Sequence, residues 1–589
     1  MDSSADSALP LRRLQVSIDV NDDGASSVYL QSPYCRPLTL MASSQAEAGK
    51  LGAVASENSI CTNIGIDLLK AGGNAADALV GTVLCVGTIG MYHSGLGGGG
   101  FMLVRSANGT YEHIDFREAA PAAAYEDMYK DNINGSIWTG LASAVPGELR
   151  GLEYLHNKYG SLPWRDVVMP AVYVSRYGFP VSGDLVRFMD FMSPTDGGFL
   201  SADPNWAIDF APNGKRLQLN ETITRKRYAD TLETIAEHGA DAFYTGPIAE
   251  TMVAATQAAN GTMTMQDLAD YKVEIREPVS ITYRDFKLTS CGSPAGGGVA
   301  LSAMKIFEGF SDAGHPAALN ISTHRFDEAI RFAQGQRTSL GDPTFLPNVT
   351  AYEAEMLKPE TATLLRAKIS DAHTLDVSAY NPDGIEPLND HGTSHVVVSD
   401  ASGLSISLTT TINLIFGNMV LVPETGIIMN DEMNDFSIPH VQNEFGYAPS
   451  PSNYIRGGKR PMSSITPIIV DHLSNGSLYL NIGAAGGSRI ITSTIMNIWH
   501  VLDRAPHLKG YTLRDALAEP RLHDQLIPNL MFLEYDYDNS TVEFLEEKGH
   551  NITRVGPGLS SVQALRMLPN GTFEAAGEPR QAASAGYVI

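Results

Sequence analysis

Two hydroxyl side chains and an imidazole follow a glycine at one junction of the chain, a combination that can do nucleophilic chemistry. The order is Gly392, Thr393, Ser394 and His395, where a loop-like run meets a strand-like run. A threonine hydroxyl is a weak nucleophile and needs a base to accept its proton. No serine–histidine–aspartate motif and no GxSxG elbow is evident in the sequence. The base must therefore come from elsewhere, or the hydroxyl has only a structural role.

Cleavage of the peptide bond before Thr393 would supply a base on the same residue. The new α-amine has a pKa of about 8 and is partly neutral at about pH 7, so it can accept the hydroxyl proton directly or through water. Gly392 leaves this bond sterically open and permits strained backbone angles. The alternative interpretation is a structural threonine at the start of a strand.

A hairpin is expected to bring further hydroxyl groups to this junction. The run DASG, from Asp400 to Gly403, is typical of a turn, and the residues after it alternate between apolar and hydroxyl side chains. If Asp400 pairs with Gly403, Thr393 faces Thr410 and lies beside Thr411. A threonine met by a second threonine is a better candidate for chemistry than an isolated one.

Composition limits the classes of function. The chain has 589 residues, 43% hydrophobic and 18% charged, which is ordinary for a globular protein. With 66 acidic and 41 basic residues the net charge is −25, which argues against nucleic acid or an anionic membrane as the main partner. A small anionic substrate stays possible because one nearby arginine can outweigh a distant field.

Residues 1–46 are expected to form a poorly structured leader segment. They lack the apolar core of a signal peptide, and no later stretch reaches about 18 apolar residues, which alone would predict a cytosolic protein. Ten Asn-X-Ser/Thr sequons, where chance gives about four, favour the secretory route and an extracellular, cell-surface or vacuolar location. Their asparagines are Asn108, Asn134, Asn220, Asn260, Asn320, Asn348, Asn475, Asn539, Asn551 and Asn570.

The cysteines and histidines show no pattern typical of metal ligands. Cys35, Cys61, Cys85 and Cys291 are too few for a disulfide scaffold, and composition alone favours buried free thiols. The 15 histidines are scattered and include no HExxH motif. The sequence therefore predicts neither a metal nor a cofactor.

Helical and strand-like blocks alternate along the chain and predict a layered α/β fold. A strand and two helices are expected from about residue 53, with Ser56 and Ser59 as the cap and the run 71–74 as the break. The pattern is helical from about 146 to 260. The strand-like runs after residue 392 are HVVVSD, LSISLTTT, GIIMND, ITPIIVD and SLYLNIG.

A series of long motifs resembles the γ-glutamyltranspeptidases, N-terminal-nucleophile hydrolases that cut themselves in two. The likeness runs from about Ala53 to the C-terminus, and the run NEFGYAPSPSNYI is closer to eukaryotic, fungal-like members than to bacterial ones. The other motifs are GGNAADA, SGLGGGGF, VPGELRG, GFPVS, HGTSHVVVSDASGLSISLTTTINLIFG, NDEMNDFS, PMSSITPII and GAAGGSRI.

The resemblance implies a four-layer αββα sandwich made of two intertwined chains, a large one from 47 to 392 and a small one from 393 to 589. Thr393 would be the nucleophile, and Thr411 would hydrogen-bond to it and orient it. Gly486 and Gly487 would form the oxyanion hole, although a tight strand-to-helix turn also explains them.

The remaining implied roles concern a γ-glutamyl group, which carries an α-carboxylate and an α-ammonium. Arg117 would clamp the carboxylate bidentately, although alone it reads as a surface arginine. Ser463 and Ser464 would add hydroxyl donors to the carboxylate, and Asn413, Glu432 and Asp435 would bind the ammonium. With Thr393, Thr411, Gly486 and Gly487, these residues and Arg117 make up the ten residues of the implied site. Without the resemblance, the serine pair, Ser463 and Ser464, and the acidic pair, Glu432 and Asp435, would each be interpreted as part of a turn.

The resemblance also pairs Cys61 with Cys85, as in eukaryotic members, and leaves Cys35 and Cys291 unassigned. Such a disulfide favours an oxidising compartment.

The function implied is a γ-glutamyl transferase and hydrolase that needs no cofactor or metal. The expected partners are γ-glutamyl donors such as glutathione, amino-acid or dipeptide acceptors, and the two chains of one precursor, with no nucleic acid. Two alternatives stay open: an amidase similar to cephalosporin acylases, and an uncleaved surface or binding protein without activity.

Overall fold

A computed structural model describes residues 49–193, 198–380, 392–439, 441 and 449–589, together with the backbone of two short strands nearer the N-terminus. The chain divides into a unit of residues 1–47 and a unit of residues 48–589. In the first unit β1 (Ser17–Val20) pairs antiparallel with β2 (Ser26–Tyr29). Among the described residues, every helix is too short or too polar to cross a lipid bilayer.

The strands of the second unit are β3 (Gly52–Ser56), β4 (Gly99–Arg105), β5 (Tyr111–Phe116), β6 (Phe179–Pro180), β7 (Thr222–Ile223), β8 (Glu274–Arg276), β9 (Val279–Tyr283), β10 (Phe286–Ser290), β11 (Gly392–Asp400), β12 (Ser405–Asn413), β13 (Ile468–His472), β14 (Leu478–Ala485), β15 (Leu522–His523), β16 (Met531–Glu534), β17 (Ile552–Val555), β18 (Ser561–Met567), β19 (Phe573–Ala576) and β20 (Ala585–Val588).

The helices are α1 (Ser59–Lys70), α2 (Ala75–Ile89), α3 (Glu148–Tyr159), α4 (Trp164–Tyr177), α5 (Gly183–Met192), α6 (Phe199–Ala202), α7 (Pro204–Phe210), α8 (Lys226–His238), α9 (Asp241–Tyr244), α10 (Pro247–Ala258), α11 (Met265–Asp270), α12 (Gly297–Phe307), α13 (Leu319–Arg337), α14 (Val349–Met356), α15 (Pro359–Arg366), α16 (Arg489–Trp499), α17 (Leu513–Ala518) and α18 (Asn539–Glu547).

Two antiparallel sheets form the centre of this unit. The seven-stranded sheet has the order β20-β3-β11-β12-β4-β5-β8, and the six-stranded sheet has the order β19-β18-β14-β13-β10-β9. Along β11 the side chains alternate between two cores: Val396 and Val398 pack with α1, α2 and α4, whereas Val397 packs with the second sheet. Burial on both faces explains why three apolar residues, Val396 to Val398, follow one another in β11.

Helices cover the outer face of each sheet and complete four layers. Leu79 and Val83 of α2 lie in the core on one side, and Val299 of α12 and Ile495 of α16 lie in the core on the other. The predicted layered α/β fold with an αββα arrangement is confirmed.

Strands from the two ends of the chain are interleaved in both sheets. In the larger sheet, β3 lies between β20 and β11, and β4 lies beside β12. In the smaller sheet, β10 pairs with β13. The hairpin β11–β12 is therefore held on both sides by strands from much earlier in the chain.

Two local predictions are wrong. The side chain of Asn58, not Ser56 or Ser59, caps α1 by accepting the Ile60 N–H at 2.9 Å, because the Ser56 hydroxyl is bonded to Thr62 instead. The run GIIMND forms one bridge, from Leu421 to Ile428, and no strand. The break before α2 is confirmed, and Asn74 caps that helix.

Candidate active site

The hairpin forms as predicted, but its register differs by one residue. Ser394, not Thr393, pairs with Thr410, and Gly392 pairs with Asn413. A bulge of β12 lies between these pairs, where Thr411 and Ile412 lie opposite Thr393, and bulges commonly redirect a side chain beside an active site.

The turn explains the difference in register. The Asp400 N–H donates to the carbonyl of Leu404 at 3.0 Å, so the loop has three residues and closes one position later than predicted. Gly403 has a φ of +88°, the left-handed conformation that a three-residue hairpin loop places at its last position.

The hydroxyls of Thr393 and Thr411 converge on one carbonyl group. Thr393 Oγ1 donates to the carbonyl oxygen of Gly392 at 2.7 Å, and Thr411 Oγ1 donates to the same oxygen at 2.5 Å. Thr411 is itself held by the backbone N–H of Asn413, at 2.8 Å. The two threonines therefore meet through the peptide bond between residues 392 and 393, and not by the direct hydrogen bond that was predicted.

Gly392 is required here because the backbone approaches closely. A Cβ at this position would lie 2.3 Å from the carbonyl oxygen of Asn413 and 3.1 Å from the Cβ of His93. Any side chain would displace the Gly392 carbonyl from the two hydroxyls.

The two residues after Thr393 are engaged elsewhere. Ser394 Oγ lies 3.0 Å from His93 Nε2, and this nitrogen lies 2.7 Å from Glu57 Oε2. His395 Nδ1 lies 2.8 Å from the hydroxyl of Thr409, and burial lowers the pKa of His395 to about 3. His395 is therefore neutral and bonded away from the scissile bond. Neither His93 nor Glu57 lies in a sequence pattern that predicts a role in the site.

A buried carboxyl group lies beside the hairpin and was also missed. Thr410 Oγ1 donates a short hydrogen bond to Glu148 Oε2, and burial raises the pKa of Glu148 to about 7. Glu148 belongs to the run VPGELRG, so its place in a shared motif was the available signal.

Arg117, Glu432 and Asp435 come together in one buried ion-pair cluster. The Arg117 guanidinium is almost fully buried and donates short hydrogen bonds to Glu432 Oε1 and Asp435 Oδ2. Burial holds the pKa of Glu432 well above its usual range, although Arg117 opposes this. Glu118, which was not predicted, lies 3.9 Å from Arg117 Nη1, and burial raises its pKa to about 8.

The serine pair lies next to this cluster. The Met462 carbonyl accepts from Arg117 Nη2 at 3.5 Å, which places the start of the loop 462–464 against the guanidinium. Ser463 Oγ accepts the Ile465 N–H at 3.1 Å. Ser464 Oγ is buried and has no hydrogen-bond partner within the described ranges.

Asn413 links the threonine site to the acidic segment. Its Nδ2 donates to the Asp431 carbonyl at 3.1 Å, and its φ is +70°. The segment that carries Glu432 and Asp435 therefore begins beside the end of β12 and the two threonines.

Gly486 and Gly487 form the turn from β14 into α16. Their φ values are +125° and +59°, and a Cβ on Gly486 would lie 2.6 Å from the Leu559 carbonyl oxygen. A tight turn alone accounts for glycine at these two positions.

Contacts along β14 indicate that this turn lies near the junction. The Asn481 side chain donates to the hydroxyl of Ser405, the first residue of β12, at 3.0 Å. Two residues further along β14, Gly483 packs against the ring of His395, which pairs with Thr409 in the middle of β12. The last residues of β14, and the turn that follows them, therefore lie toward the end of β12 that carries Thr411.

The predicted disulfide is confirmed, since Cys61 and Cys85 are bonded with their Cα atoms 5.3 Å apart. Cys291 is a buried free thiol, and burial raises its pKa. Cys35 and the loop residues 381–391 lie outside the described residues.

Comparisons with known proteins agree with this geometry. The family model for gamma-glutamyltranspeptidase matches residues 61–588. A glutathione hydrolase proenzyme of Arthroderma benhamiae is 52% identical over 557 residues, 92% of this chain and 93% of that protein. A glutathione hydrolase of Aspergillus flavus is 47% identical over 547 residues, 92% of this chain and 90% of that protein.

A solved structure agrees with the fold over nearly the whole chain. The cephalosporin acylase of Bacillus halodurans has a TM-score of 0.78, covering 94% of this chain and 99% of that one. At 24% identity, the likeness bears on the fold alone.

Proposed function

The chain belongs to the γ-glutamyltranspeptidase family, and we propose on this premise that it cleaves the γ-glutamyl amide of glutathione through an ester on Thr393. Its relatives at 52% and 47% identity are named glutathione hydrolases. The observation that carries the proposal is the convergence of the Thr393 and Thr411 hydroxyls on the Gly392 carbonyl.

The first step is cleavage of the chain itself. Thr393 Oγ1 attacks the carbonyl carbon of Gly392, and its proton passes to the departing nitrogen of Thr393. Water then hydrolyses the ester, leaving a carboxylate on Gly392 and a free amine on Thr393. Thr411 donates to the oxygen on which negative charge develops, the arrangement that stabilises an oxyanion.

The free amine then serves as the base for the second reaction. It accepts the hydroxyl proton as Thr393 Oγ1 attacks the γ-carbonyl of the substrate, and this proton goes to the departing amine, cysteinylglycine. Water releases glutamate from the ester, or an amino acid or dipeptide takes the γ-glutamyl group. Backbone N–H groups at Gly486 and Gly487 are proposed to bind the oxyanion.

The cluster around Arg117 is suited to the two charges of a γ-glutamyl group. Arg117 is paired with Glu432 and Asp435, so a substrate carboxylate can bind the guanidinium only if a cation binds the two acidic side chains that it releases. The α-carboxylate and α-ammonium of one zwitterion do both, and the total charge of the buried site stays unchanged. The unpartnered hydroxyl of Ser464 supplies a further donor; Ser463 and Asn413 are proposed to assist.

We also propose the secretory route. Of the ten sequon asparagines, nine are exposed and Asn320 is half-buried, so oligosaccharides can be attached without unfolding. The bond between Cys61 and Cys85 is suited to an oxidising compartment.

A denaturing gel with N-terminal sequencing tests the cleavage. Purified protein is expected to give two fragments, the smaller beginning TSHVVV, and Thr393→Ala is expected to stay intact and inactive. If the wild-type protein is active and gives a single full-length band, the mechanism is refuted. If it gives that band and is inactive, the result favours an uncleaved binding protein.

A second assay separates the proposed substrate from that of an acylase. A glutaryl amide lacks the α-ammonium, so it leaves Glu432 and Asp435 without a cation and is expected to react more slowly than the γ-glutamyl amide. A faster glutaryl amide would refute the substrate assignment and leave the cleavage mechanism intact.

A further inference from the structure

Two histidines and a glutamate form a buried cluster where α13 packs against α18 and the residues that follow it. His324 and Glu328 lie one turn apart on α13, and His550 follows α18. One donor atom from each lies within 4.8 Å of the other two, and all three residues are buried. This cluster takes no part in the reaction proposed above.

The outer nitrogen of each histidine lies beside an oxygen atom. His324 Nε2 lies 2.7 Å from the Ser370 carbonyl oxygen, and His550 Nδ1 lies 3.2 Å from Asp327 Oδ2. A neutral imidazole carries its single proton on the nitrogen that donates. His324 Nε2 therefore carries the proton of its ring, which leaves His324 Nδ1 as an acceptor, whereas His550 Nδ1 and Asp327 Oδ2 make no hydrogen bond within the described residues.

The two inner nitrogens face each other. His324 Nδ1 lies 2.7 Å from His550 Nε2, so His550 Nε2 either donates its proton to His324 Nδ1 or, with that proton on Nδ1 beside Asp327, shares a metal ion with it. A carbonyl oxygen that holds the outer nitrogen, as at His324, and a carboxylate within reach of it, as at His550, are the usual surroundings of metal-binding histidines.

Glu328 offers a third donor on the same side. Its Oε1 accepts from the hydroxyls of Thr374 and Tyr380 at 2.6 and 2.8 Å. Its Oε2 is buried and has no hydrogen-bond partner in the described part of the chain. Residues four apart on a helix share a face, which brings this carboxylate beside His324.

We propose that His324 Nδ1, His550 Nε2 and Glu328 Oε2 bind a divalent transition-metal ion, for which Zn²⁺ is the best fit. Two imidazoles and a carboxylate are an established zinc ligand set. With Zn–N bonds of about 2.0–2.1 Å in a tetrahedral site, the two nitrogens would stand about 3.3 Å apart. The rings therefore need to separate by about half an ångström from their 2.7 Å spacing.

The ion would join two parts of the chain that cleavage separates. His324 and Glu328 precede residue 393 and His550 follows it, so, on the proposed cleavage, the metal connects the two fragments within the core. Binding itself does not depend on cleavage, which allows the two proposals to fail separately.

Metal analysis of the purified full-length chain tests this site. Protein is stripped with a chelator, reloaded with Zn²⁺, freed of excess metal and measured by mass spectrometry. One zinc ion per chain is expected in the wild type and in uncleaved Thr393→Ala. His324→Gln and His550→Gln are expected to lose it, whereas His500→Gln, which changes another buried histidine, is expected to retain it.

A spectroscopic measurement on the wild type guards against variants that fail to fold. Co²⁺ added to stripped protein is expected to give the visible absorption of a four-coordinate site, and Zn²⁺ is expected to displace it. The chelator is expected to lower the unfolding temperature of the wild type and not of His550→Gln. Failure of stripped wild-type protein to take up either ion, or equal zinc content in folded His324→Gln, would overturn the proposal and favour a proton shared by the two histidines.

Discussion

Replacing Thr411 by valine should slow self-cleavage by two to three orders of magnitude. The Gly392 carbonyl oxygen receives two hydroxyl donors, from Thr393 and from Thr411. When Thr393 attacks the carbonyl carbon it gives up its proton and ceases to donate to that oxygen. Only Thr411 then stabilises the developing negative charge, and valine has the same shape without the hydroxyl.

The magnitude follows from the loss of one preorganised donor. Removing a single oxyanion donor from an enzyme costs about 10²–10³ in rate, or about 2.7–4 kcal/mol of transition-state stabilisation. The value applies here because this donor is buried and is itself oriented by the Asn413 N–H at 2.8 Å. A self-cleavage that takes minutes in the wild type should therefore take hours to days in Thr411→Val.

The assay is the disappearance of full-length chain on a denaturing gel after synthesis in a cell-free system. Thr411→Ser keeps the hydroxyl and should cleave at close to the wild-type rate. Thr409→Val changes a neighbouring threonine of β12 whose hydroxyl bonds His395 instead, and it controls for the loss of a buried hydroxyl. Cleavage of Thr411→Val as fast as either control would refute the assigned role.

Three further changes test other parts of the structure. Because burial raises the pKa of Glu148 from 4.5 to about 7, its neutral form is favoured in the fold, and this group should lower the free energy of unfolding by about 3 kcal/mol as the pH rises through this range. Buried Glu118 and Glu353 add falls of their own, so in urea titrations at several pH values Glu148→Gln should show a fall about 3 kcal/mol smaller than that of the wild type. Changing both Cys61 and Cys85 to alanine opens a loop with a sequence separation of 24 and should cost about 3 kcal/mol in the same titrations, whereas an unchanged midpoint would contradict a stabilising role. Gly392→Ala forces a Cβ to within 2.3 Å of the Asn413 carbonyl oxygen and should leave full-length chain on the gel, while normal processing would show that the strand shifts freely.

The hairpin shows how far local patterns reach. Alternation after DASG predicts two paired strands, and both are present. The run DASG is compatible with loops of two and of three residues, so the register could not be settled without the conformation of Gly403, whose φ is +88°.

Contacts between distant residues could not be read from spacing. Arg117 and Glu432 are 315 positions apart, and His324 and His550 are 226 apart. The first pair was predicted only from motifs shared with a family, and such motifs identify candidate residues without showing which of them are in contact. The second pair lies in no quoted motif, and only the packing of α13 against α18 brings it together.

Interleaved strands change the molecularity of unfolding once the chain is cut. In the intact chain, β3, β4 and β10 are tethered to their partners β11, β12 and β13, so folding is a first-order process. After the bond before Thr393 breaks, the same pairs connect two molecules, and refolding becomes second order. The unfolding midpoint of the mature protein should then depend on protein concentration, whereas that of Thr393→Ala should not. Self-cleavage would in this way make the folded state easy to keep and hard to regain.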